Sequence, residues 1–343
     1  MGTKLKDLVD FKEIKIEDLK GKVLAVDAHN ILYQFLTTIR QRDGSLLTDS
    51  KGRVTSHLNG LFYRTTRLMH QGLKLVFIYD GKPPEIKGKE LEKRKTRKIE
   101  AKAQFEAAKE KGEEAEMKKY AARTTRLTPE MIDESKKLLK LLGIPVVQAP
   151  SEGEAQASQM VKDGKAWAVV SQDFDNLLFG CPRMIKNLSV EGRRKKIGSL
   201  GWQVVKPELV SLSETLNKLG IDQEQLIVLG ILVGTDFNIG GIPGIGPKKA
   251  LKLVKEVKDF DEIFEQVKWE NYFELEWREI FYVIKKMPVR KDYELKWKEV
   301  DVAKLRKFLV EDYEFSAERV DNQIKKWLKE EDKKKQKGLG EWV

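Results

Sequence analysis

The sequence predicts an α/β fold: a mostly parallel, twisted central sheet flanked by helices. Three observations predict it. Four short segments rich in Val and Ile read as strands, helical patterns separate them, and each strand is apolar along its whole length rather than alternating. Fully apolar strands suit a sheet buried on both faces. The segments are KVLAV (22–26), LKLVFIY (73–79), IPVVQ (144–148) and AWAVVS (166–171). Between the second and third lies a different stretch. Residues 82–126 carry 15 Lys/Arg against 9 Asp/Glu with few large apolar residues. That composition favours helix but cannot make a core of its own, so it predicts a basic helical arch over a cleft. From about residue 206 the pattern is helical, interrupted by a Gly-rich turn at 240–246. The last stretch, 329–343, reads as a solvated tail with an apolar tip.

Composition bounds the function. The 343 residues hold one large or two medium domains, and 41% hydrophobic content is enough for a sizeable core. The formal net charge is +11, from 65 Lys/Arg against 54 Asp/Glu. Such a surface suits a polyanion, although Lys/Glu networks for solubility and thermal tolerance give the same balance. A single cysteine, Cys181, excludes a disulfide framework and a Cys-cluster zinc site, and three histidines are too few for a His-rich metal site. The longest apolar run, 226–234, is half of what a bilayer span requires. The first twenty residues show no apolar signal region, and Lys6 stands where a myristoylation signal wants Ser or Thr.

The acids are the strongest feature. The first strand runs into Asp27 and the second into Asp80. The third is followed by Glu152 and Glu154, the fourth by Asp173 and Asp175. In an open parallel sheet the ligand crevice lies beyond the carboxyl ends of the strands, so six acids converge on one rim, and Asp236 after another apolar run can join them. Two carboxylates about 4 Å apart repel by about 4 kcal/mol at an effective dielectric of 20. Sharing a proton relieves one pair but not six or seven acids. Divalent ions relieve them all, and oxygen-only ligands select Mg²⁺ or Mn²⁺ over Zn²⁺. Seven acids exceed what one Mg²⁺ needs, which points to two ions and in-line phosphoryl displacement. Taken singly each acid has a plainer reading: Ser151 and Glu154 have capping-box spacing, and Asp after a strand often caps a helix.

With those residues in place the chain resembles the structure-specific 5′ nuclease superfamily, and most of all archaeal flap endonucleases. The matching stretches are DAHNILYQFL (27–36), TSHLNGLFYRT (55–65), YDGKPPEIKGKELEKR (79–94), QAPSEGEAQA (148–157), SQDFDNLLFG (171–180) and LVGTDFNIGGIPGIGPKKAL (232–251). They follow the family's order over nearly the whole chain. The resemblance implies a PIN-like nuclease core and two Mg²⁺ ions, replaceable by Mn²⁺. Asp27, Asp80, Glu152 and Glu154 match the first metal site, and Asp173, Asp175 and Asp236 the second. Lys87 and Arg94 match the active-site cations. Their spacing places them on one face of a helix opening after Pro83-Pro84, but the residues alone leave them as two cations among many. Tyr33 matches a base-stacking tyrosine, and core packing beside Leu32 and Phe35 is its plainer reading. Arg40 and Arg64 match DNA contacts; by pattern they are exposed positions on amphipathic helices. The implied substrate is branched DNA with a single-stranded 5′ flap. A 5′ exonuclease acting on duplex ends and a non-catalytic DNA-binding scaffold are the competing readings.

Residues 226–257 read as helix, GIPGIG turn, helix. Gly234, Gly241, Gly244 and Gly246 let the backbone approach a phosphate, and Lys248 and Lys249 follow at the start of the second helix. Such a hairpin grips duplex by its backbone and reads no bases. The family uses it in this way, often with a bound K⁺. At the end of the chain, Gln336, Leu339, Trp342 and Val343 resemble the box with which replication proteins dock on the sliding clamp, with Trp-Val in place of the usual aromatic pair. The ending of the chain at this box fits an archaeal, cytoplasmic setting. The organisation expected is a nuclease region over 1–98, the rest of the arch over 99–126, a second nuclease region over 127–258, a helical region over 259–328, and the tail.

Overall fold

The protein is described from a computed structural model, which covers residues 3–88, 104, 125–190, 192–195 and 202–340. The central sheet has seven strands: β1 (Lys12–Glu13), β2 (Val23–Asp27), β3 (Lys74–Tyr79), β4 (Val146–Gln148), β5 (Ala168–Val170), β6 (Arg183–Lys186) and β9 (Glu208–Ser211). Between β6 and β9, β7 (Gly192–Lys195) and β8 (Trp202–Val205) form a separate antiparallel hairpin. The order across the sheet is β1-β9-β6-β5-β2-β3-β4. The strands from β6 to β4 run parallel, and β9 and β1 close one edge antiparallel. The four segments read from sequence are β2 to β5. The expectation of continuous helix from about 206 is corrected by β9, whose four residues are too few to show a period.

Twelve α-helices are formed among the described residues. In chain order they are α1 (Ala28–Thr38), α2 (Ser56–His70), α3 (Pro129–Leu141), α4 (Gly153–Lys162), α5 (Asp175–Leu178), α6 (Leu212–Leu219), α7 (Gln223–Val233), α8 (Pro247–Glu256), α9 (Phe260–Gln266), α10 (Trp277–Lys285), α11 (Val302–Arg306) and α12 (Ala317–Gly340). Alternation along β3 divides them. Leu75, Phe77 and Tyr79 pack with α1, α2, α3, α11 and α12, whereas Val76 and Ile78 face the cluster built by α4, α5 and α7 to α10. Both faces are therefore covered, which is why these strands are apolar throughout. The longest apolar run is α7, buried from Leu226 to Val233. Among the described residues no helix is long and apolar enough to cross a membrane.

Local chemistry sets the helix starts next to the rim. Asp27 caps α1 by accepting the Asn30 N–H at 3.0 Å. Pro129 opens α3 behind a Thr128 cap, and Pro247 opens α8. Two departures from the sequence reading lie in the C-terminal part. The backbone of 329–340, read as a solvated tail, continues α12, in keeping with the strong helix propensity of its Lys, Glu and Gln residues. Residues 288–300 form neither helix nor strand but a strap along the sheet. Its Trp297 Nε1–H donates to the Leu75 carbonyl at 2.8 Å, the Lys298 N–H donates to the Gly143 carbonyl at 2.9 Å, and Gln156 exchanges two bonds with the backbone of Arg290.

Gly143 is where the strap meets the α3–β4 turn. Its φ is +70°, and a Cβ there would lie 2.0 Å from the Lys298 carbonyl oxygen. Gly143→Ala is expected to lower stability by about 1–3 kcal/mol, through strain and the displaced strap. Guanidinium unfolding measures this; an unchanged midpoint would show that the strap is not seated on the turn.

Candidate active site

The parallel strands carry their acids to one rim. Asp27 ends β2 and Asp80 follows β3. Glu152 and Glu154 open α4 after β4, Asp173 and Asp175 follow β5, and Asp236 lies just after α7. From β2 the chain moves to β3 and β4 on one side, then returns to β5 on the other, so the reversal of strand order falls between Asp27 and Asp173. All seven predicted acids are brought into mutual electrostatic contact. Burial and then Asp80 push the Asp27 carboxyl up to about 7. Burial, with Asp173 and Asp236, pushes Asp175 up to about 8. Glu154 is raised well above the usual range by burial and by Asp173, Asp175, Asp27 and Asp236. Burial also raises Asp173 and Glu152.

Polar neighbours hold these carboxylates in place. Ser171 Oγ–H donates to Asp27 Oδ2 at 3.2 Å, the Gly153 N–H to Asp80 Oδ1 at 2.7 Å, Asn176 Nδ2–H to Glu154 Oε1 at 3.1 Å, and the Thr3 N–H to Asp175 Oδ1 at 2.8 Å. His29 Nδ1 lies 3.2 Å from Asp80 Oδ2. Gly153 must be glycine for this: a Cβ would lie 2.6 Å from Asp80 Oδ1. Thr3, His29, Ser171 and Asn176 received no role from the sequence. For His29, Ser171 and Asn176 the available signal was their place inside the acid-bearing motifs, Ser171 two residues before Asp173 and Asn176 three after it, whereas Thr3 lies in none of them.

Among the described residues, a lysine ammonium enters the cluster. Lys87, in the short 3₁₀ turn after Pro83-Pro84, is 8% exposed, with Nζ 2.7 Å from Glu152 Oε2 and 3.3 Å from Asp236 Oδ2. Burial disfavours its charge, but Glu152 and Asp236 outweigh burial and hold its pKa above the ordinary lysine value. The cavity lined by Lys87, Glu152, Glu154, Asp175 and Asp236 is only about 10 Å³, room for about one water. Among the described residues no three acidic or histidine side chains surround one point as metal ligands. Lys87 occupies the space between two of them. The donor set nevertheless fits hard divalent ions: it is all oxygen, buried, and strongly opposed to carrying its full negative charge. One ammonium cannot balance seven carboxylates.

The remaining predicted residues are more dispersed. Tyr33 lies on α1 with 36% exposure, so it is not the core residue its plainer reading allowed. The expectation that Arg40 and Arg64 are freely exposed is corrected, because both are half-buried and used locally. Arg40 lies just past the end of α1 and donates to the Gly44 carbonyl at 2.8 Å and to Thr125 Oγ1, while Arg64 donates to the Ser189 carbonyl and lies over the Phe35 ring. The helical hairpin is α7, turn, α8. Gly234 and Gly241 have φ of +105° and +60°, and a Cβ on either would meet the other strand of the turn at 2.6 Å or less. Gly244 and Gly246 are exposed and have open space around the Cβ position, as a backbone facing a ligand requires. Lys248 and Lys249 are exposed on the first turn of α8. Arg94 and nearly all of the arch lie outside the described residues, as do Trp342 and Val343. Gln336 and Leu339 lie on the distal part of α12.

Comparison with known proteins gives concordant results. Residues 3–101 match the XPG N-terminal domain and residues 143–236 the XPG I-region. The chain is 49% identical over 342 residues to flap endonuclease 1 of Thermococcus onnurineus, covering 100% of this chain and 99% of that one. It is 54% identical over 259 residues to flap endonuclease 1 of Pyrococcus furiosus, 76% of each chain. The solved flap endonuclease-1 of Methanococcus jannaschii superposes with a TM-score of 0.76 at 40% identity, over 97% of this chain and 100% of that one. The catalytic core of Rad2 in complex with DNA has the same fold, with a TM-score of 0.69 at 22% identity over 95% of this chain and 100% of that one.

The raised carboxyl values have a consequence for stability without divalent ions. Asp27 and Asp175 hold a proton up to about 7 and about 8 when folded, but only to the ordinary carboxyl range when unfolded. Their contribution is complete below that range and is lost as pH rises through the folded values. In chelator, Tm is therefore expected to be lower at about pH 8 than at about pH 5, and added Mg²⁺ to recover the loss at the higher pH. Equal Tm values in chelator would show that crowding of the acids stores no such strain.

Proposed function

The chain belongs to the flap endonuclease family of XPG-type nucleases, and from that membership we propose how its own residues carry the reaction. The protein is a structure-specific 5′ nuclease, a phosphodiesterase acting at 5′ flaps in DNA replication and repair. The family is metal-dependent. The assignment of residues rests above all on one observation: carboxylates from separate segments share one rim, where burial and neighbouring acids raise Asp27, Glu152, Glu154, Asp173 and Asp175 above the ordinary carboxyl range.

In this reading Asp27, Asp80, Glu152 and Glu154 hold one divalent ion, and Asp173, Asp175 and Asp236 hold a second, each Mg²⁺ or Mn²⁺. Bound there, two such ions supply charge neutralisation at the phosphate and a water of lowered pKa. Lys87 directs its ammonium at the phosphoryl oxygens as charge develops on them, joined by Arg94 further along the same segment. Tyr33 offers its exposed ring to an unpaired base at the junction. The turn at Gly240–Gly246, with Lys248 and Lys249, holds the duplex by its phosphates, and the backbone of the turn would hold a K⁺ ion that adds positive charge there. Arg40 and Arg64, held by Gly44, Thr125 and Ser189, add positive charge to the DNA-binding surface. The substrate is duplex carrying a single-stranded 5′ flap. The box at Gln336, Leu339, Trp342 and Val343 docks on a sliding clamp, and the setting is the archaeal cytoplasm.

Asp173→Asn is expected to lower flap cleavage by about a thousandfold or more while DNA affinity stays within about threefold, and Lys87→Ala to lower kcat by about 10²–10³. Single-turnover cleavage and equilibrium binding separate the two quantities. Full turnover in Asp173→Asn would remove the residue from the site, and a Lys87→Ala defect explained wholly by affinity would make Lys87 a binding residue.

Removal of residues 336–343 is expected to leave cleavage of a free flap intact and to abolish stimulation by the clamp. Stimulation that survives the truncation would refute the docking role.

A further inference from the structure

A second, larger cavity borders the acid cluster beside the head of α8. It measures about 510 Å³ and opens between the N-terminal segment, the start of α1, the Gln172–Phe174 turn and Pro247 at the head of α8. Lys4 and Lys6 line it, both exposed, and neither belongs to a motif or role assigned above. Asn30 lines it as well. Its Oδ1 accepts the Gln172 N–H at 3.1 Å, so the group left to face a ligand is its amide NH₂, a donor. Lys186 lies nearby, with Nζ 3.8 Å from the centre of the Phe174 ring. Asp7 also lines the cavity, and Asp173 marks its border with the acid cluster. The two exposed ammonium groups of Lys4 and Lys6, with Lys186 nearby and the Asn30 amide donor, beside a phosphate-cleaving centre favour an anion on the side away from Asp7 and Asp173.

The position of the cavity identifies that anion. One wall is Asp173, at the bond to be cut. Pro247, at the head of the hairpin's second helix, also lines the cavity. A strand held at both places crosses the cavity. We propose that it seats the backbone phosphate adjacent to the scissile one on the duplex side, with Lys4 and Lys6 as its cations and Asn30 as its hydrogen-bond donor. This rests on the reading of the acids as the cleavage site. It deepens that reading, because gripping the neighbouring phosphate fixes which phosphodiester faces the carboxylates.

The test uses the full chain, flap DNA carrying one neutral methylphosphonate at each linkage around the cut in turn, and the double variant Lys4→Ala/Lys6→Ala. In the unaltered protein, neutralising the first linkage into the duplex is expected to weaken binding about tenfold, with smaller effects at its neighbours. The double variant is expected to bind native DNA about tenfold more weakly, with a slope of log K against log salt shallower by about 1. In that variant the same neutral linkage should cost less than about twofold more. Losses that multiply to about a hundredfold would overturn the proposal, and so, with no variant needed, would an unaltered protein indifferent to that linkage. Those results leave the cleavage site standing, whereas full activity in Asp173→Asn would remove the cleavage site itself.

Discussion

Repulsion among buried carboxylates is the constraint around which this molecule is built. At a few ångströms each pair resists ionisation by several kcal/mol, and burial adds to the resistance. A flexible chain would let such groups drift apart. Here they are carried by strands locked in parallel register, Val26 opposite Val170 and Tyr79 opposite Gln148, with helices packed on both faces. The apolar layers supply the rigidity, and the acids occupy the one edge where strand order reverses. The cluster is therefore a concentration of negative charge held in place by the core, and Lys87 sets an ammonium among its acids.

Much of this was legible in the sequence because it followed from chain connectivity. An acid directly after an apolar strand must lie at that strand's carboxyl end, so Asp27, Asp80, Glu152 and Asp173 could be placed on one rim without knowing the order of strands. The hairpin around Gly240–Gly246 was equally readable, since only glycine tolerates φ of +105° at Gly234 or the close backbone approach at Gly241. What sequence could not place were contacts between distant segments. That Arg40 and Arg64 turn inward to Thr125 and Ser189 depends on packing across the molecule, as does the burial of Lys87 between Glu152 and Asp236. The strap was illegible for another reason: its order comes from hydrogen bonds to Leu75, Gly143 and Gln156 rather than from any period of its own.

Several residues serve the fold and the site together. Asp27 closes β2, caps α1 and faces the acid cluster, so the plain and the chemical readings of a post-strand Asp are both realised in one side chain. Gly153 opens α4 and at the same time gives its N–H and its missing side chain to Asp80. This sharing leaves few positions at the rim where structure and chemistry can vary independently.

The segment between Lys87 and Thr125 enters and leaves the molecule at fixed anchors. At one end Lys87 is buried among the acids, and at the other Thr125, 5% exposed, receives Arg40. The entropy of closing a loop grows only with the logarithm of its length, about 0.6 kcal/mol for each doubling. Insertions or deletions between the two anchors would thus be nearly neutral for folding. The length of chain between these anchors can therefore change while Lys87 keeps its place among the acids.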